Sequence, residues 1–189
     1  WEELRTALTR INIQTRLNLL VVMAMCSGWR LSGILLPSQP APVWGLVGPT
    51  DDVKEWDLKQ AMAAFYRELL RSLDARKALS QANDHRPYAE WTYQLETAEM
   101  MYCKAFKRHI LDLTEDGVRE RLNDIVAQDA RTHGLDVVRS AVVREEARRK
   151  LTEHEDYFYS LKRRFLMMDE MPENDARFPL RYEDCGGAP

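Results

Sequence analysis

The apolar residues of the first 50 positions lie in two nearly continuous runs. One run is Leu17–Met25, which ends just before Gly28, and the other is Pro42–Val47, which is closed by Gly48. Continuous apolar runs bounded by glycine are typical of strands that are buried on both faces of a parallel sheet. The segment between them, Leu35–Pro42, is punctuated by proline and is predicted to be a loop.

Helical spacing of apolar residues dominates the rest of the chain and also occurs at its start. We expect helices over 2–11, 53–73, 74–82, 89–111, 114–133 and 135–169. Thr50 or Asp51 is expected to cap the helix that starts at residue 53, and Asp74 and Thr114 are expected to cap later helices. Gly134 has the position of a helix C-terminus.

This order of elements predicts a helix-rich α/β fold, in which a partial parallel sheet of two or three strands precedes an α-helical region. We expect residues 1–83 to form the α/β portion. Residues 84–189 are expected to form a helical extension, which either stands apart or packs on the same core.

Composition narrows the class of protein. The 189 residues include 27 Lys and Arg against 30 Asp and Glu, a net charge of −3. The chain therefore lacks the broad cationic field that non-specific nucleic-acid binding needs. The longest apolar run has nine residues, whereas a membrane-spanning helix needs about 20. We expect neither a nucleic-acid nor a membrane partner.

Three widely spaced cysteines, Cys26, Cys103 and Cys185, are an odd number and too few for a secreted disulfide scaffold. This count favours a reducing, cytoplasmic location. Cys185 lies in a glycine-rich terminus and is expected to be an exposed tail residue.

Cys26 has the most informative position of the three. It follows a predicted buried strand directly, and α/β proteins place their sites where parallel strands end. Such a cysteine can be a nucleophile, with backbone N–H groups beside it to stabilise an oxyanion and Gly28 to turn the chain away. The alternative is that Cys26 is a small buried hydrophobe, since free cysteine is among the most buried residue types.

A longer pattern surrounds Cys26. A helix leads into the strand that ends at Cys26, a second strand ends in the Pro/Asp turn of 43–52, and a helix follows with the pairs Phe65-Tyr66 and Leu69-Leu70. A short alanine-rich helix at 78–83 completes the order. From Glu3 to Asn83 the chain resembles the later part of a caspase-like cysteine peptidase domain, closest to the CHAT branch.

The resemblance implies a caspase-like partial sheet and a cysteine endopeptidase acting on a protein or peptide substrate. Cys26 is then the nucleophile, its N–H contributes to the oxyanion hole, and Ser27 and Gly28 form the turn beside it. Many relatives carry an acidic residue at the position of Ser27.

The segment from Trp44 to Asp52 would line one wall of the substrate cleft. Asp51 and Asp52 have two interpretations. In the first interpretation, the two carboxylates lie in the first specificity pocket and pair with a basic side chain of the substrate. In the second, they cap the helix that is predicted to start at residue 53, and capping preferences favour this second interpretation.

The family also carries a histidine upstream of the cysteine, usually followed by glycine. None of the 25 residues before Cys26 is histidine, and His85, His109, His133 and His154 all lie downstream. We therefore expect the histidine on a segment upstream of this chain or on a partner protein.

The main alternative is a non-enzymatic helical interaction module or an inactive peptidase homologue. It rests on the missing histidine and on the apolar stripe from Trp91 to Ile110, which is equally compatible with a core. No Glu-x-x-His pair and no glycine-rich phosphate loop occurs, so we expect no metal and no cofactor.

Overall fold

The computed structural model describes residues 2–25, 35–84, 92–112, 114–134, 137–152 and 154–186. Its regular elements are three short strands and eight helices within those ranges. In chain order they are α1 (Glu2–Gln14), β1 (Leu20–Val22), β2 (Gly45–Pro49), α2 (Glu55–Ser72), α3 (Ala75–Asp84), β3 (Tyr93–Thr97), α4 (Ala98–Phe106), α5 (Glu115–His133), α6 (Val137–Thr152), α7 (His154–Phe165) and α8 (Asn174–Arg177). A π-helical turn, Lys107–Leu111, extends α4, and a 3₁₀ turn, Glu183–Cys185, lies near the C-terminus.

The chain divides into two compact units. Unit 1 comprises Trp1–Leu35 and Pro40–Met101, and unit 2 comprises Leu36–Gln39 and Tyr102–Pro189. The boundary between the units lies beyond residue 83 because β3 pairs with the sheet of unit 1.

Unit 1 contains a mixed three-stranded sheet of order β1-β2-β3. β1 pairs parallel to β2, with Leu20 opposite Gly45 and Val22 opposite Val47. β3 pairs antiparallel to β2, with Tyr93 opposite Pro49. The helix-rich α/β class is therefore confirmed, and the sheet is mixed where a parallel one was expected.

The strand β3 lies where the sequence pattern predicted a helix over 89–111, and for residues 93–97 that prediction is wrong. In the sequence Tyr-Gln-Leu-Glu-Thr, the apolar residues Tyr93 and Leu95 alternate with polar ones, which suits a strand. Pairing with β3 also supplies hydrogen-bond partners for the second side of the buried strand β2. Helix α4 starts only at Ala98.

The two predicted strands differ in how far their residues are buried. All five residues of β2 are buried, as expected for a central strand. β1 is shorter than the predicted run, Leu17–Met25, and its three residues are only partly buried. Because all three residues are only partly buried, the expectation of burial on both faces is wrong for β1. Among the described strands, β1 pairs with β2 alone.

Helices α2 and α3 cover one face of this sheet. The buried cluster there combines strand and helix residues: Val47, Ala61, Met62, Phe65, Ala78, Ala82 and Tyr93. Leu69 packs against it. Four other apolar side chains of the predicted 53–73 helix point outward instead, namely Trp56, Tyr66, Leu70 and Leu73.

Two of the predicted caps are confirmed. Asp74 Oδ1 accepts hydrogen bonds from the backbone N–H groups of Arg76 (2.9 Å) and Lys77 (3.2 Å), and these bonds, that from Lys77 above all, lower the pKa of Asp74. Thr114 Oγ1 accepts from Gly117 N–H at 3.1 Å. Gly134 ends α5 with a φ of 86°, a region that favours glycine.

Unit 2 packs around an aromatic cluster. Tyr102 and Phe106 from α4 meet Phe158 and Phe165 from α7, with ring centres 5.2 Å apart for Tyr102–Phe158 and 5.1 Å for Phe106–Phe158. The hydroxyl of Tyr102 donates to the carbonyl oxygen of Phe158 at 2.6 Å. Burial raises the pKa of Tyr102 far above its ordinary value, so this donor keeps its proton at every ordinary pH.

The C-terminal segment belongs to the same core. Tyr182 contacts Phe106 edge-to-face, with centres 6.3 Å apart. A disulfide joins Cys103 to the buried Cys185. The expectation that Cys185 is an exposed tail residue is therefore wrong, because Tyr182 anchors its segment on α4. The predicted 135–169 helix is two helices, α6 and α7.

The side chain of Asn12 joins α1 to the start of the sheet by two hydrogen bonds. Its side chain is fully buried, donates from Nδ2 to the carbonyl oxygen of Ala41 (2.8 Å) and accepts from Leu19 N–H at Oδ1 (3.1 Å). We expect Asn12→Leu to lower the free energy of unfolding by about 2–4 kcal/mol, because both backbone groups lose their partner. Urea denaturation measures this loss.

Asn18→Leu is the matched control, since the Asn18 side chain is exposed and its bonds to the carbonyls of Thr15 and Arg16 are local. We expect that variant to change stability by less than about 0.5 kcal/mol. Equal losses for the two variants would show that the buried bonds of Asn12 contribute nothing particular.

Candidate functional site

The candidate site is the end of the sheet at which β1 and β2 finish and β3 begins, which we call the carboxyl end of the sheet. β1 ends at Val22, but the next residue still follows β2, since Met23 N–H donates to the carbonyl oxygen of Val47 at 2.7 Å. Met25, the last described residue of this segment, is exposed. Cys26, Ser27 and Gly28 lie outside the described residues.

Two further segments meet at the same end. The backbone N–H of Thr50 donates to the carbonyl oxygen of Thr92 (2.9 Å), and Thr92 N–H donates to Thr50 Oγ1 (3.1 Å). Asn83, at the end of α3, holds both backbone groups of Tyr93: its Oδ1 accepts from the N–H at 2.9 Å and its Nδ2 donates to the carbonyl at 3.1 Å. These bonds fix the start of β3 beside the end of β2.

Asp51 and Asp52 follow β2 at this end and are both exposed. Their predicted role as caps is wrong. Helix α2 begins only at Glu55, its N-cap position is Lys54, and among the described residues no side chain makes a capping hydrogen bond there. Asp51 Oδ1 instead accepts from the N–H of Asp52 at 2.8 Å.

Glu55 and Asp57 supply the negative charge in the first turn of α2, which favours a helix N-terminus. The carboxylates of Asp51 and Asp52 are thus not needed by the helix and face solvent beside the strand end.

Trp44 lies at the other end of β2. Its N–H donates to the carbonyl oxygen of Leu19 (2.8 Å), and its own carbonyl accepts from Ala98 N–H (2.7 Å). The five residues of β2 separate it from Asp51 by about 16 Å or more of extended chain. Asp51 and Asp52 thus lie at one end of β2 and Trp44 at the other. A substrate contact for Trp44 stays a prediction.

The described histidines, His109, His133 and His154, all belong to unit 2. His133 is exposed and bonds through Nδ1 to Asp129 Oδ1 at 2.9 Å. Hydrogen bonds from Arg139 first, and from His133 as well, lower the pKa of Asp129. His85 lies outside the described residues.

The Cys103–Cys185 disulfide is a feature that the sequence analysis missed. Two aromatic residues in the tail, Phe178 and Tyr182, are the signal that could have found it, because a tail that buries aromatic side chains must pack on the core. Tyr182 and Cys185 are three residues apart, as are Cys103 and Phe106, so the Tyr182–Phe106 contact brings the two sulfur atoms together. Because the disulfide uses Cys103 and Cys185, Cys26 is the one cysteine of the sequence that is left as a candidate nucleophile.

Among the described residues, no group of three or more His, Cys, Asp or Glu side chains is arranged to hold a metal ion. Within the same residues, no helix has the length and apolar character needed to cross a membrane.

We expect Asp51→Ala combined with Asp52→Ala to leave the thermal midpoint of unfolding unchanged, because neither carboxylate caps α2. Asp74→Ala, the same change in the same unit, should lower the midpoint by removing the acceptor of two backbone N–H groups. Circular dichroism melts of both variants measure the difference.

The effect of Asp74→Ala should depend on pH. The folded state depresses the pKa of Asp74, so the stabilisation is present above the unfolded-state pKa of about 4 and is lost as the pH falls through the lower folded pKa. An equal loss of stability in the Asp51/Asp52 double variant at pH 7 would contradict the assignment of the caps.

Comparison with protein-family models, with curated proteins and with solved structures finds no match to this chain.

Proposed function

We propose that this chain carries the nucleophile half of a caspase-like cysteine endopeptidase, with Cys26 as the nucleophile. The single observation that supports the proposal is the parallel pairing of β1 and β2, which continues through Met23. The strand that leads to Cys26 thus ends at the carboxyl end of the sheet, where Thr50–Asp52 follow β2. This is where open α/β sheets place their ligands.

The proposed reaction is amide hydrolysis through a thioester. A histidine takes the proton of the Cys26 thiol, and the thiolate attacks the carbonyl carbon of the substrate peptide bond. By the resemblance, the backbone N–H of Cys26 would stabilise the oxyanion, and Ser27 and Gly28 would form the turn beside it. The histidine returns its proton to the leaving amine as the C–N bond breaks, and water then hydrolyses the thioester and regenerates the thiol.

The general base is the histidine that the resemblance implies, on a segment upstream of residue 1 or on a partner protein. This assignment of the general base leaves the histidines of this chain without a catalytic role. Single variants of His109, His133 and His154 should accordingly keep the activity of the full-length protein.

Asp51 and Asp52 are proposed to contact a basic side chain of the substrate. What supports this role is that both are exposed, lie directly after β2 and are not used to cap α2. A carboxylate pairs well with a guanidinium group through charge-assisted hydrogen bonds. Substrates with arginine at the cleaved position are therefore the first to test.

The alternative function, a helical interaction module, loses part of its basis. It drew on the apolar stripe up to Ile110, and Met101, Tyr102, Phe106 and Ile110 are all buried. These side chains are core residues and are not available to a partner. An inactive peptidase homologue remains the outcome that the experiments below would establish if Cys26 proves unreactive.

The reactivity of Cys26 provides the decisive test, because Cys103 and Cys185 are bonded to each other and the sequence has only one further cysteine. Within the residues of this chain, we expect a peptide-based thiol electrophile to label the unreduced full-length protein at Cys26 alone. We expect Cys26→Ala to abolish both this labelling and peptide cleavage. Peptide-mapping mass spectrometry and a fluorogenic peptide assay are the measurements.

The double variant Cys103→Ala/Cys185→Ala is the matched control and should still be labelled and active. Proteolysis that survives in Cys26→Ala would overturn the proposed nucleophile. Labelling of Cys26 no faster than that of a denatured sample would indicate an ordinary, unactivated thiol.

Neutralising the acidic pair tests the substrate contact separately. We expect Asp51→Asn/Asp52→Asn to raise KM for peptides with arginine at the cleaved position by about tenfold, at unchanged kcat, because a charge-assisted contact is lost. Peptides with leucine at that position should show no change in KM. An unchanged KM for the arginine peptides would remove the specificity role and leave the test of Cys26 unaffected.

A further inference from the structure

A cavity of about 230 Å³ lies between α5, α6 and α7 in unit 2, and we call it the α5–α7 cavity. Four apolar side chains form part of its wall, namely Ile110, Ile125, Val143 and Ala147. Two of them, Ile110 and Ala147, are buried, and the other two are partly buried. The volume is below the roughly 300–1,000 Å³ of pockets that hold drug-sized ligands, so an occupant must be small and partly apolar.

Two polar side chains in the same wall have hydrogen-bond donors that are not used. Arg121 of α5 is partly buried, and within the described part of the chain its guanidinium makes no hydrogen bond and no ion pair. Tyr157 of α7 is also partly buried, and its hydroxyl has no hydrogen-bond partner among the same residues. A charged group that is withdrawn from water without a partner is unfavourable, and a bound anion would supply that partner.

The lack of a partner sets Arg121 apart from other arginines of unit 2. Arg119, Arg139 and Arg163 each form an ion pair with an aspartate, at 2.7, 2.8 and 2.6 Å. These three side chains are 71%, 45% and 61% exposed, so water already solvates much of each guanidinium. Arg121 is less exposed and has no carboxylate. The less solvated cation is thus the one that lacks a counter-charge.

We propose that the α5–α7 cavity binds a small ionised carboxylic acid with a short apolar tail. The carboxylate accepts two parallel hydrogen bonds from the guanidinium of Arg121, the geometry that arginine and carboxylate prefer. The hydroxyl of Tyr157 donates a third bond. The tail lies against the apolar wall, where its removal from water contributes to binding.

Glu146 limits the charge of the ligand. It also lines the cavity but is exposed, and although both side chains are described, it makes no ion pair with Arg121. Its negative charge repels an anion at the rim, and the repulsion doubles for a doubly charged group. A carboxylate, with one charge, is therefore favoured over a phosphate monoester.

Ligand-observed saturation-transfer NMR with hexanoate as the probe tests the proposal. We expect hexanoate to bind with a dissociation constant of about 1 mM or below, as suits so small a ligand. Acetate, which has the same head and no tail, should bind at least about tenfold more weakly. Hexylammonium, which has the same tail and the opposite charge, should not bind, and hexyl phosphate should bind more weakly than hexanoate.

Two pairs of variants locate the site. Arg121→Gln should raise the dissociation constant of hexanoate by about tenfold, because the charge-assisted bonds are lost. Arg131→Gln removes the same charge from an exposed position of the same helix outside the cavity and should change nothing. Val143→Phe should weaken binding by filling the cavity, whereas Val142→Phe, at a neighbouring position that is 61% exposed, should not. Thermal melts verify that each variant is folded.

The results decide the proposal without reference to peptidase activity, because the cavity lies in unit 2 and the proposal does not rest on Cys26. Absence of hexanoate binding would overturn it. Binding that Arg121→Gln and Val143→Phe both leave unchanged would also overturn it, since the acid would then occupy another place. Equal binding of hexylammonium would show an apolar crevice with no preference for anions, and tighter binding of hexyl phosphate would contradict the assignment of a carboxylate.

Discussion

The pairing of β2 on both of its sides is the constraint on which unit 1 depends. All five residues of β2 are buried, so its backbone N–H and C=O groups cannot turn to water and must bond to other strands. β1 satisfies one side in a parallel register and β3 the other in an antiparallel register. Because parallel strands end at the same end of a sheet, this pairing also determines which loops become neighbours at the candidate site.

Three- and five-residue strands are too short to hold such an arrangement by their ladders alone, and two asparagines complete it. Asn12 bonds to Leu19 N–H and the Ala41 carbonyl at the start of the sheet, and Asn83 bonds to both backbone groups of Tyr93 at its other end. Gly45 leaves room beside β2 for the side chain of Leu20, since a Cβ at residue 45 would lie 2.9 Å from Leu20 Cδ1. The sheet is thus positioned by side chains as much as by strands.

Much of the local structure could be predicted from the sequence because its causes are local. The buried strand β2, the caps Asp74 and Thr114 and the helix end at Gly134 all follow from residues within a few positions. β3 could not be predicted, since five alternating residues sit next to a genuine helical pattern and only pairing with β2 decides between them. The asparagine bonds, from Asn12 to Ala41 and from Asn83 to Tyr93, and the Cys103–Cys185 bond join residues 10 to 82 positions apart, and no periodicity reveals such pairs.

The adjacent pairs Phe65-Tyr66 and Leu69-Leu70 show that an apolar pattern can predict a helix correctly without predicting which of its apolar residues are buried. Neighbouring residues on a helix point about 100° apart, so one member of each pair can face the core while the other cannot. Phe65 and Leu69 pack on the sheet, and Tyr66 and Leu70 are turned outward. A pair of this kind therefore predicts the helix but does not tell which of its two members packs in the core. The residues that support the resemblance to peptidases thus also define a surface that the fold of unit 1 leaves uncovered.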